Sequence, residues 1–333
     1  MKKVFFIAVV IFILSVAVGI FIWWSGVSSP VSTSTETVDF LVVKGRSASQ
    51  IGEALYKEGL IKNPLAFKFY VQTTGKSDQI QAGEFRLSPA YSLEKTVDTL
   101  TGPPLELWVT VPEGLRREEI VERFVQGLEK EEPDASNFRQ EFLEASEDME
   151  GFLFPDTYLF PRDVKASSVT SAMRNTFDKR IAEIGGDKSP EFTLEDIVTL
   201  ASIIERETKT DVERPVVAGI LLNRLEIGMG LQADAATQYA LANARCQKLD
   251  ARCDNWWPIL TLTDLQIDSP YNTYKYRGLP PAPIANPGLS SLKAAIDPAE
   301  TDYLYYLHDS EGGIHYAETL DEHNANVKEY LGK

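Results

Sequence analysis

The chain has 333 residues, of which 44% are apolar and 25% charged, and this composition excludes wholesale disorder and a polytopic membrane protein. Its formal net charge is −16. Proteins that bind nucleic acid present an excess of basic residues to the phosphates, so nucleic acid is excluded as a partner. Two cysteines and three histidines are too few for a zinc ribbon or a multi-histidine metal protein.

The N-terminal segment predicts the compartment. Lys2 and Lys3 precede an apolar run from Val4 to Trp24, which as a helix spans about 31 Å, the thickness of a bilayer core. A cleaved signal peptide has a shorter apolar stretch of about 7–15 residues. The run therefore predicts an uncleaved single-pass anchor, with cleavage within Gly26–Ser29 as the alternative. The two lysines predict a cytoplasmic N-terminus in the plasma (inner) membrane and a periplasmic or extracytoplasmic bulk.

A polar linker, residues 25–37, leads to a small first module, residues 38–104. Ser47 and Gln50 match a capping box, and Asn63 followed by Pro64 matches a second helix start. The predicted elements are a strand Phe40–Val43, a helix from Ser47 to Glu58, a helix from Asn63 to Gly75, a strand Ala82–Leu87 and a helix Ser92–Leu100.

The larger module, residues 105–333, mixes helices and short strands without a βαβ alternation, so we predict the α+β class. Thr193 and Asp196 cap its longest apolar-periodic stretch. The predicted elements are a strand Trp108–Val111, helices Arg116–Leu128, Leu194–Thr208 and Glu213–Leu225, and a hairpin of Tyr303–His308 with Ile314–Ala317.

Two cysteines, Cys246 and Cys253, lie in a polar stretch of this module and are separated by six residues. In an oxidising compartment they predict one local disulfide that pins a loop. No neighbouring pattern would activate a thiolate, which favours a structural over a catalytic role.

Two acids end the longest predicted helix. Glu205 and Glu207 point about 200° apart on a helix, so they cannot share one pocket. Glu207 lies above bulky Leu200, Ile203 and Ile204, where lost hydration raises a carboxyl pKa and makes a general acid. Glu205 lies beside Arg206 and Lys209, which we expect to be exposed. The residues alone still favour a solvated helix end with an intrahelical ion pair.

The same stretch, read with its surroundings, resembles the MltG (YceG-like) family of endolytic murein lytic transglycosylases over nearly the whole chain. The matching segments are Val111–Gly114, Glu150–Tyr158, Leu200–Thr208, Asn223–Asp234, Ser269–Tyr274, Gly278–Pro281 and Asn286–Gly288. The resemblance implies a membrane anchor, a LysM-like module at 38–104 and a catalytic YceG-like domain at 105–333.

The resemblance also implies the reaction. The family cleaves the β-1,4 bond between N-acetylmuramic acid and N-acetylglucosamine in nascent glycan strands and leaves a 1,6-anhydro-muramyl end. Its catalytic acid aligns with Glu207, or with Glu205 if the alignment is displaced by one acid. One acid is enough because no water nucleophile is needed, so we expect neither metal nor cofactor. The implied partners are peptidoglycan glycan strands, glycan polymerases and penicillin-binding proteins.

The remaining motifs of the resemblance supply a sugar cleft. Tyr158, Tyr271 and Tyr274 are candidates to stack on sugars, and Gln232, Asp234 and Asn272 to hydrogen-bond them; the alternative for each is a turn or core role. Ala233–Ala236 departs from the family's Thr-Asp-Pro-Thr-like run and leaves the shape of that loop open. Two other functions are weighed against the transglycosylase: an anchored peptidoglycan-binding scaffold and a muramidase that uses water.

Overall fold

The computed structural model describes residues 2–185, 192–246 and 255–332, with side chains from residue 10 onward. The chain divides into two compact units. The smaller contains Met1–Trp108 with Leu159–Arg162, and the larger contains Val109–Tyr158 with Asp163–Lys333. Helices and short strands are mixed in the described chain, and the predicted α+β class is confirmed.

The chain begins with helix α1, Lys2–Ser28, which extends four residues beyond the predicted apolar run. Its segment Val10–Ser28 is long and apolar enough to cross a bilayer, and none of that segment is buried in the protein. Two serine hydroxyls within it are paired with the helix backbone, because Ser15 donates to the Phe12 carbonyl and Ser25 to the Phe21 carbonyl.

The smaller unit continues with the predicted strand–helix–helix–strand order and the following helix. Ser47 and Gln50 form the predicted capping box, and Asn63 accepts from two backbone N–H groups at the start of the second helix. The elements are β1 (Val38–Val42), α2 (Ala48–Lys57), α3 (Pro64–Thr73), a 3₁₀ turn (Ser77–Gln79), β2 (Gly83–Leu87) and α4 (Leu93–Leu100).

A four-stranded sheet has the order β1-β2-β3-β4, where β3 is Glu106–Thr110 and β4 is Thr157–Pro161. β1 and β2 pair antiparallel from Val38–Leu87 to Val42–Gly83. Phe40, Val42, Phe85 and Leu87 therefore point to one face, where they join the buried core of the helices. The likeness of this unit to a LysM module stays a prediction.

The larger unit is mainly helical and is built around one apolar helix. Its elements are α5 (Arg117–Gly127), α6 (Asp134–Ala145), α7 (Ala166–Glu183), α8 (Leu194–Glu207), α9 (Arg214–Glu226), α10 (Asp234–Arg245), a 3₁₀ turn (Asp264–Gln266), α11 (Leu289–Ile296), the strands β5 (Tyr305–His308) and β6 (Ile314–Ala317), and α12 (Leu320–Leu331). Every residue of α8 from Ile197 to Ile204 is buried, and α9, α10 and α11 pack around it. The predicted hairpin is confirmed, pairing from Tyr305–Ala317 to His308–Ile314.

Candidate active site

The site lies where α8 emerges from the core of the larger unit. Thr193 and Asp196 form the predicted capping box at its N-terminus. Eight buried residues hold the helix in place, so the acids of its last turn have fixed positions. Thr208 closes that turn by donating its hydroxyl to the Ile204 carbonyl at 2.7 Å.

Glu207 lines a cavity of about 330 Å³. Its Oε2 accepts a hydrogen bond from the Tyr306 hydroxyl at 3.0 Å. Its Oε1 lies 3.5 Å from the backbone N–H of Ala235, at the outer limit of a hydrogen bond. One carboxylate oxygen is thus firmly held, and the other is only weakly engaged. The residues that line the cavity are Glu207, Arg224, Gln232, Asp234, Tyr274, Tyr305, Tyr306, Leu320 and His323.

The surroundings of Glu207 favour its protonated form. Burial is the largest influence and raises the pKa of this carboxyl, and the nearby negative charge of Asp234 acts in the same direction. The donors Tyr306 and Ala235 and the charge of His308 lower the pKa, but the net pKa of Glu207 is raised. A carboxyl with a raised pKa in a cavity can donate its proton to a ligand near neutral pH.

Glu205 has a different environment on the opposite side of the helix. Its buried carboxylate accepts from the Gly288 N–H at 3.0 Å, the Ser291 hydroxyl at 2.7 Å and the Arg214 guanidinium at 3.0 Å. Gly288 and Ser291 belong to the start of α11, where the helix dipole favours a negative charge. Glu205 therefore ties α8 to α9 and α11, and its lone pairs are occupied by the protein itself.

The expectation of a solvated end of α8 with an intrahelical ion pair is wrong. Glu205 pairs with Arg214 of the next helix, and Glu207 accepts from Tyr306 of β5. The expectation that Arg206 is exposed is also wrong, because its guanidinium lies 3.8 Å from the centre of the Trp257 ring and donates to the Gly114 carbonyl. The aromatic partner lies 51 residues away, so helical spacing alone gives no sign of it.

Three of the six candidate sugar-binding residues, Gln232, Asp234 and Tyr274, line the cavity with Glu207. Asp234 begins α10, and its Oδ1 accepts from the Tyr274 hydroxyl at 2.6 Å. Gln232 has a φ of +51°, a left-handed conformation that non-glycine residues seldom adopt and that recurs at functional sites. Thr273 holds this loop: its carbonyl accepts from the Gln232 N–H and its hydroxyl from the Ala233 N–H.

The alanines in the departing run Ala233–Ala236 settle the shape of that loop. Ala233, Ala235 and Ala236 are buried in the core of the larger unit, and α10 starts between them at Asp234. The loop therefore reaches Asp234 through the small buried side chain of Ala233, and the first turn of α10 places Ala235 and Ala236 in the core, without the proline that the resemblance leads one to expect.

The other three candidates lie away from the cavity lining. Tyr158 donates its hydroxyl to the Phe154 carbonyl at 2.7 Å, and burial raises its pKa to about 12. The Tyr271 ring packs against the Tyr239 ring, with centroids 4.9 Å apart. We assign both tyrosines to the packing of the larger unit.

Asn272 is fully buried and stabilises the loop that carries Tyr274. Its amide donates to the carbonyls of Leu265 and Ile267, and its Oδ1 accepts from the Tyr274 N–H at 3.1 Å. Asn272 thus fixes the backbone that carries Tyr274 into the cavity, and its side chain is committed to the protein.

Sequence reasoning missed five of the lining residues: Arg224, Tyr305, Tyr306, Leu320 and His323. Arg224 lies within the matching segment Asn223–Asp234, and the two tyrosines lie in the predicted hairpin, so position could have drawn attention to them. Leu320 and His323 lie on α12, which has no buried residue. Its capping box of Thr319 and Glu322 is the local signal that could have located this helix in the sequence.

Among residues 2–185, 192–246 and 255–332, no three His, Cys, Asp or Glu side chains lie close enough together to hold a metal ion. Each of the three histidines contacts a carboxylate or an aromatic ring. His308 lies 3.1 Å from Glu213, and His315 lies 2.8 Å from Asp309. The His323 ring stacks on Tyr305, with centroids 5.3 Å apart.

Cys246 ends α10 and is disulfide-bonded. Cys253, its predicted partner, lies outside the described residues. The specific pairing and its role in pinning the loop stay predictions.

Comparison with known proteins gives consistent matches. The model of the YceG-like family matches residues 40–329. A Bacillus subtilis protein named endolytic murein transglycosylase is 32% identical over 94% of this chain and 90% of its own length. A Streptococcus pneumoniae protein of the same name is 29% identical over 90% of this chain, which spans 59% of that longer protein. A crystal structure of a yceG-like protein from Listeria monocytogenes superposes with a TM-score of 0.56 at 30% identity, covering 88% of this chain and 99% of that one.

Proposed function

The chain belongs to the YceG-like family, and from this premise we propose that it is an endolytic lytic transglycosylase that cleaves the β-1,4 bond between N-acetylmuramic acid and N-acetylglucosamine. The observation that carries the proposal is the state of Glu207, a carboxyl with a raised pKa in a cavity. The names of the relatives, endolytic murein transglycosylase, support peptidoglycan as the substrate.

In the first half-reaction the protonated Glu207 donates its proton to the glycosidic oxygen. The bond between C1 of the muramyl residue and that oxygen breaks, and the glucosaminyl residue leaves with a free 4-hydroxyl. Positive charge develops at C1, where the substrate's own 2-acetamido group stabilises it. The weakly engaged Oε1 of Glu207 is the atom that we assign to this transfer.

In the second half-reaction the Glu207 carboxylate removes the proton of the muramyl 6-hydroxyl, and that oxygen attacks C1. The product is a 1,6-anhydro-muramyl end, Glu207 is protonated again, and no water is consumed. This is why a single acid is enough, whereas ordinary glycosidases pair two carboxylates. The reaction as written requires no metal or cofactor.

The three cavity residues Gln232, Asp234 and Tyr274 are proposed to bind the sugars beside the cleaved bond. Gln232 offers an amide donor and acceptor for hydroxyl or acetamido groups. Tyr274 is more than one-third exposed and presents part of its ring to the solvent. Such a tyrosine provides a stacking face for a sugar and, through Asp234, a fixed orientation.

Helix α1 is proposed to anchor the protein as a single pass, with Lys2 and Lys3 in the cytoplasm and the folded units outside it. Such an anchor would hold the enzyme where glycan strands are polymerised. Glycan polymerases and penicillin-binding proteins are therefore proposed partners, and termination of glycan elongation is the proposed outcome. The LysM-like module is proposed to contact the glycan strand.

A muramidase that uses water is the second candidate, and Asp234 is the observation that favours it. Asp234 and Glu207 line the same cavity, and retaining or inverting glycosidases require two such carboxylates. However, the Asp234 Oδ1 is bound by the Tyr274 hydroxyl, which occupies one oxygen of the second acid. A binding scaffold is the third candidate, and the raised pKa of Glu207 gives it no support.

Product analysis separates the three candidates. The full chain in detergent is incubated with uncrosslinked glycan strands, and the fragments are separated by mass. Anhydro ends support the transglycosylase, reducing ends support the muramidase, and intact strands support the scaffold. Glu207→Gln keeps the size of the side chain but removes the proton, so cleavage should fall by about 10²–10⁴-fold.

Two further variants show whether that loss is specific. Glu195→Gln changes an exposed glutamate in the first turn of the same helix and should cleave as the wild type does. Glu205→Gln, assayed at a temperature where it remains folded, should lose much less than Glu207→Gln. The reverse order would assign the acid to Glu205, and full cleavage by both variants would remove the reaction from this helix.

A further inference from the structure

Tyr306 reaches the catalytic carboxyl from a different part of the chain. It lies on β5, 99 residues after Glu207, and its ring packs against the apolar core of the larger unit. Its hydroxyl donates to Oε2 of Glu207 at 3.0 Å. The packing of the ring fixes where the hydroxyl lies, so the bond is made by a preorganised donor.

We propose that Tyr306 is a positioning residue that holds Oε2 of Glu207 and directs Oε1 toward the glycosidic oxygen; this inference rests on the proposed function. The asymmetry of the two oxygens carries it. Oε2 has a close hydroxyl donor, whereas the contact of Oε1 with the Ala235 N–H is 3.5 Å long. A proton bound to Oε1 is therefore free to be donated to a substrate.

A tyrosine suits this position because it keeps its proton. Burial raises the pKa of the Tyr306 phenol well above its usual value, and the neighbouring Glu207 charge acts in the same direction. The hydroxyl is therefore a donor throughout the working pH range. It stabilises the carboxylate that forms when Glu207 gives up its proton, and that carboxylate is the base of the second half-reaction.

The hydroxyl also opposes the effect of burial on Glu207. Burial raises the pKa of Glu207, and the bond from Tyr306 lowers it. An acid that must give up a proton and take one back works best when its pKa lies near the working pH. Charged or titratable groups surround Glu207 on several elements: Arg206 on α8, Arg224 on α9, Asp234 on α10, Tyr274 in the loop before α11, Tyr305, Tyr306 and His308 on β5, and His323 on α12.

The test is the pH profile of Tyr306→Phe. Phe keeps the packed ring and removes only the hydroxyl that lowers the pKa of Glu207. The alkaline limb of the cleavage rate, where the acid loses its proton, should therefore move to higher pH by about one unit, the size implied by one hydrogen bond to a charged group. The maximal rate should fall about tenfold, because Oε2 is no longer held.

Tyr303→Phe is the matched control. Tyr303 precedes the same strand, and its ring stacks on Tyr316 with centroids 5.3 Å apart, outside the cavity lining. This variant should keep the wild-type profile and rate. Both variants are measured as full chains in detergent, by the rate of anhydro-end formation between pH 4 and 9, roughly the range over which Glu and His side chains titrate in proteins.

The outcomes separate this inference from the proposed function. If the wild type forms no anhydro ends, the proposed function fails. If the wild type cleaves and Tyr306→Phe loses rate at every pH without moving the alkaline limb, Tyr306 is merely structural and the inference is overturned. An unchanged rate and profile in Tyr306→Phe would overturn it equally. An alkaline limb that moves to higher pH in Tyr306→Phe but not in Tyr303→Phe supports the inference.

Discussion

The two glutamates at the end of α8 are expected to change stability in opposite directions when they are replaced. Glu205→Ala removes the acceptor of three buried donors, on Gly288, Ser291 and Arg214. Glu207→Gln removes a carboxyl whose charged form is disfavoured by burial in the folded protein. The first variant should therefore be less stable than the wild type, and the second more stable at neutral pH.

The magnitude for Glu205 follows from its contacts. Breaking a buried ion pair costs about 3–5 kcal/mol, and each buried donor left without a partner costs about 1–3 kcal/mol. Arg214 keeps a second carboxylate, Asp211, which reduces the first figure. We expect a loss of about 3 kcal/mol, or about 6–12 °C in Tm for a unit of this size.

The sign for Glu207 follows from its raised pKa. The folded state binds this proton more tightly than the unfolded chain does, so the stability of the wild type falls as pH rises above the usual range of a glutamate. Glu207→Gln lacks this dependence. Its stability should match the wild type near pH 4 and exceed it at pH 8, and the difference should grow with pH.

Thermal unfolding of the full chain in detergent at pH 4 and pH 8 measures both effects. Glu195→Ala, at an exposed position of the same helix, is the control and should stay within about 0.5 kcal/mol of the wild type. If Glu205→Ala has the same melting temperature as Glu195→Ala, the role assigned to Glu205 is wrong. If Glu207→Gln is less stable than the wild type at pH 8, the burial cost assigned to Glu207 is wrong.

Three further outcomes are expected. Burial, and then the charge of Glu118, raise the pKa of Glu150 from 4.5 to about 8. The stability of the wild type should therefore fall as pH rises from 4.5 to about 8, and Glu150→Gln should weaken that fall in melting curves recorded over a series of pH values. Joint replacement of Cys246 and Cys253 by Ser should cost about 2–3 kcal/mol in the chain-entropy model and leave cleavage intact; a folded but inactive variant would contradict the structural role. A reporter fused after Lys333 should be active only outside the cytoplasm, and activity confined to the cytoplasm would reverse the proposed topology.

Local chemistry made several elements predictable from the sequence. The caps at Ser47, Asn63 and Thr193 each satisfy backbone groups within three residues, and all three are present in the structure. The apolar run at the N-terminus and the periodic stretch that became α8 are equally local signals. Four of the missed helices, α6, α7, α10 and α11, have no side-chain hydrogen bond at their N-caps. The fifth, α12, begins with a capping box of Thr319 and Glu322, so a local signal of its start was present in the sequence and was overlooked.

The site itself was only partly determined by the sequence. Apolar spacing and the family resemblance select Glu207, and the matching segments supply Gln232, Asp234 and Tyr274. The sequence could not show that Asn272 faces inward.

Tertiary structure decided which acid is held by buried partners and which lines the cavity. The partners of Glu205 lie up to 86 residues away in the chain, and Tyr306 lies 99 residues from Glu207. No local pattern encodes such pairs. A carboxyl acquires its pKa from the groups that surround it in space, and these are brought together only when α9, α10, α11 and β5 pack around α8.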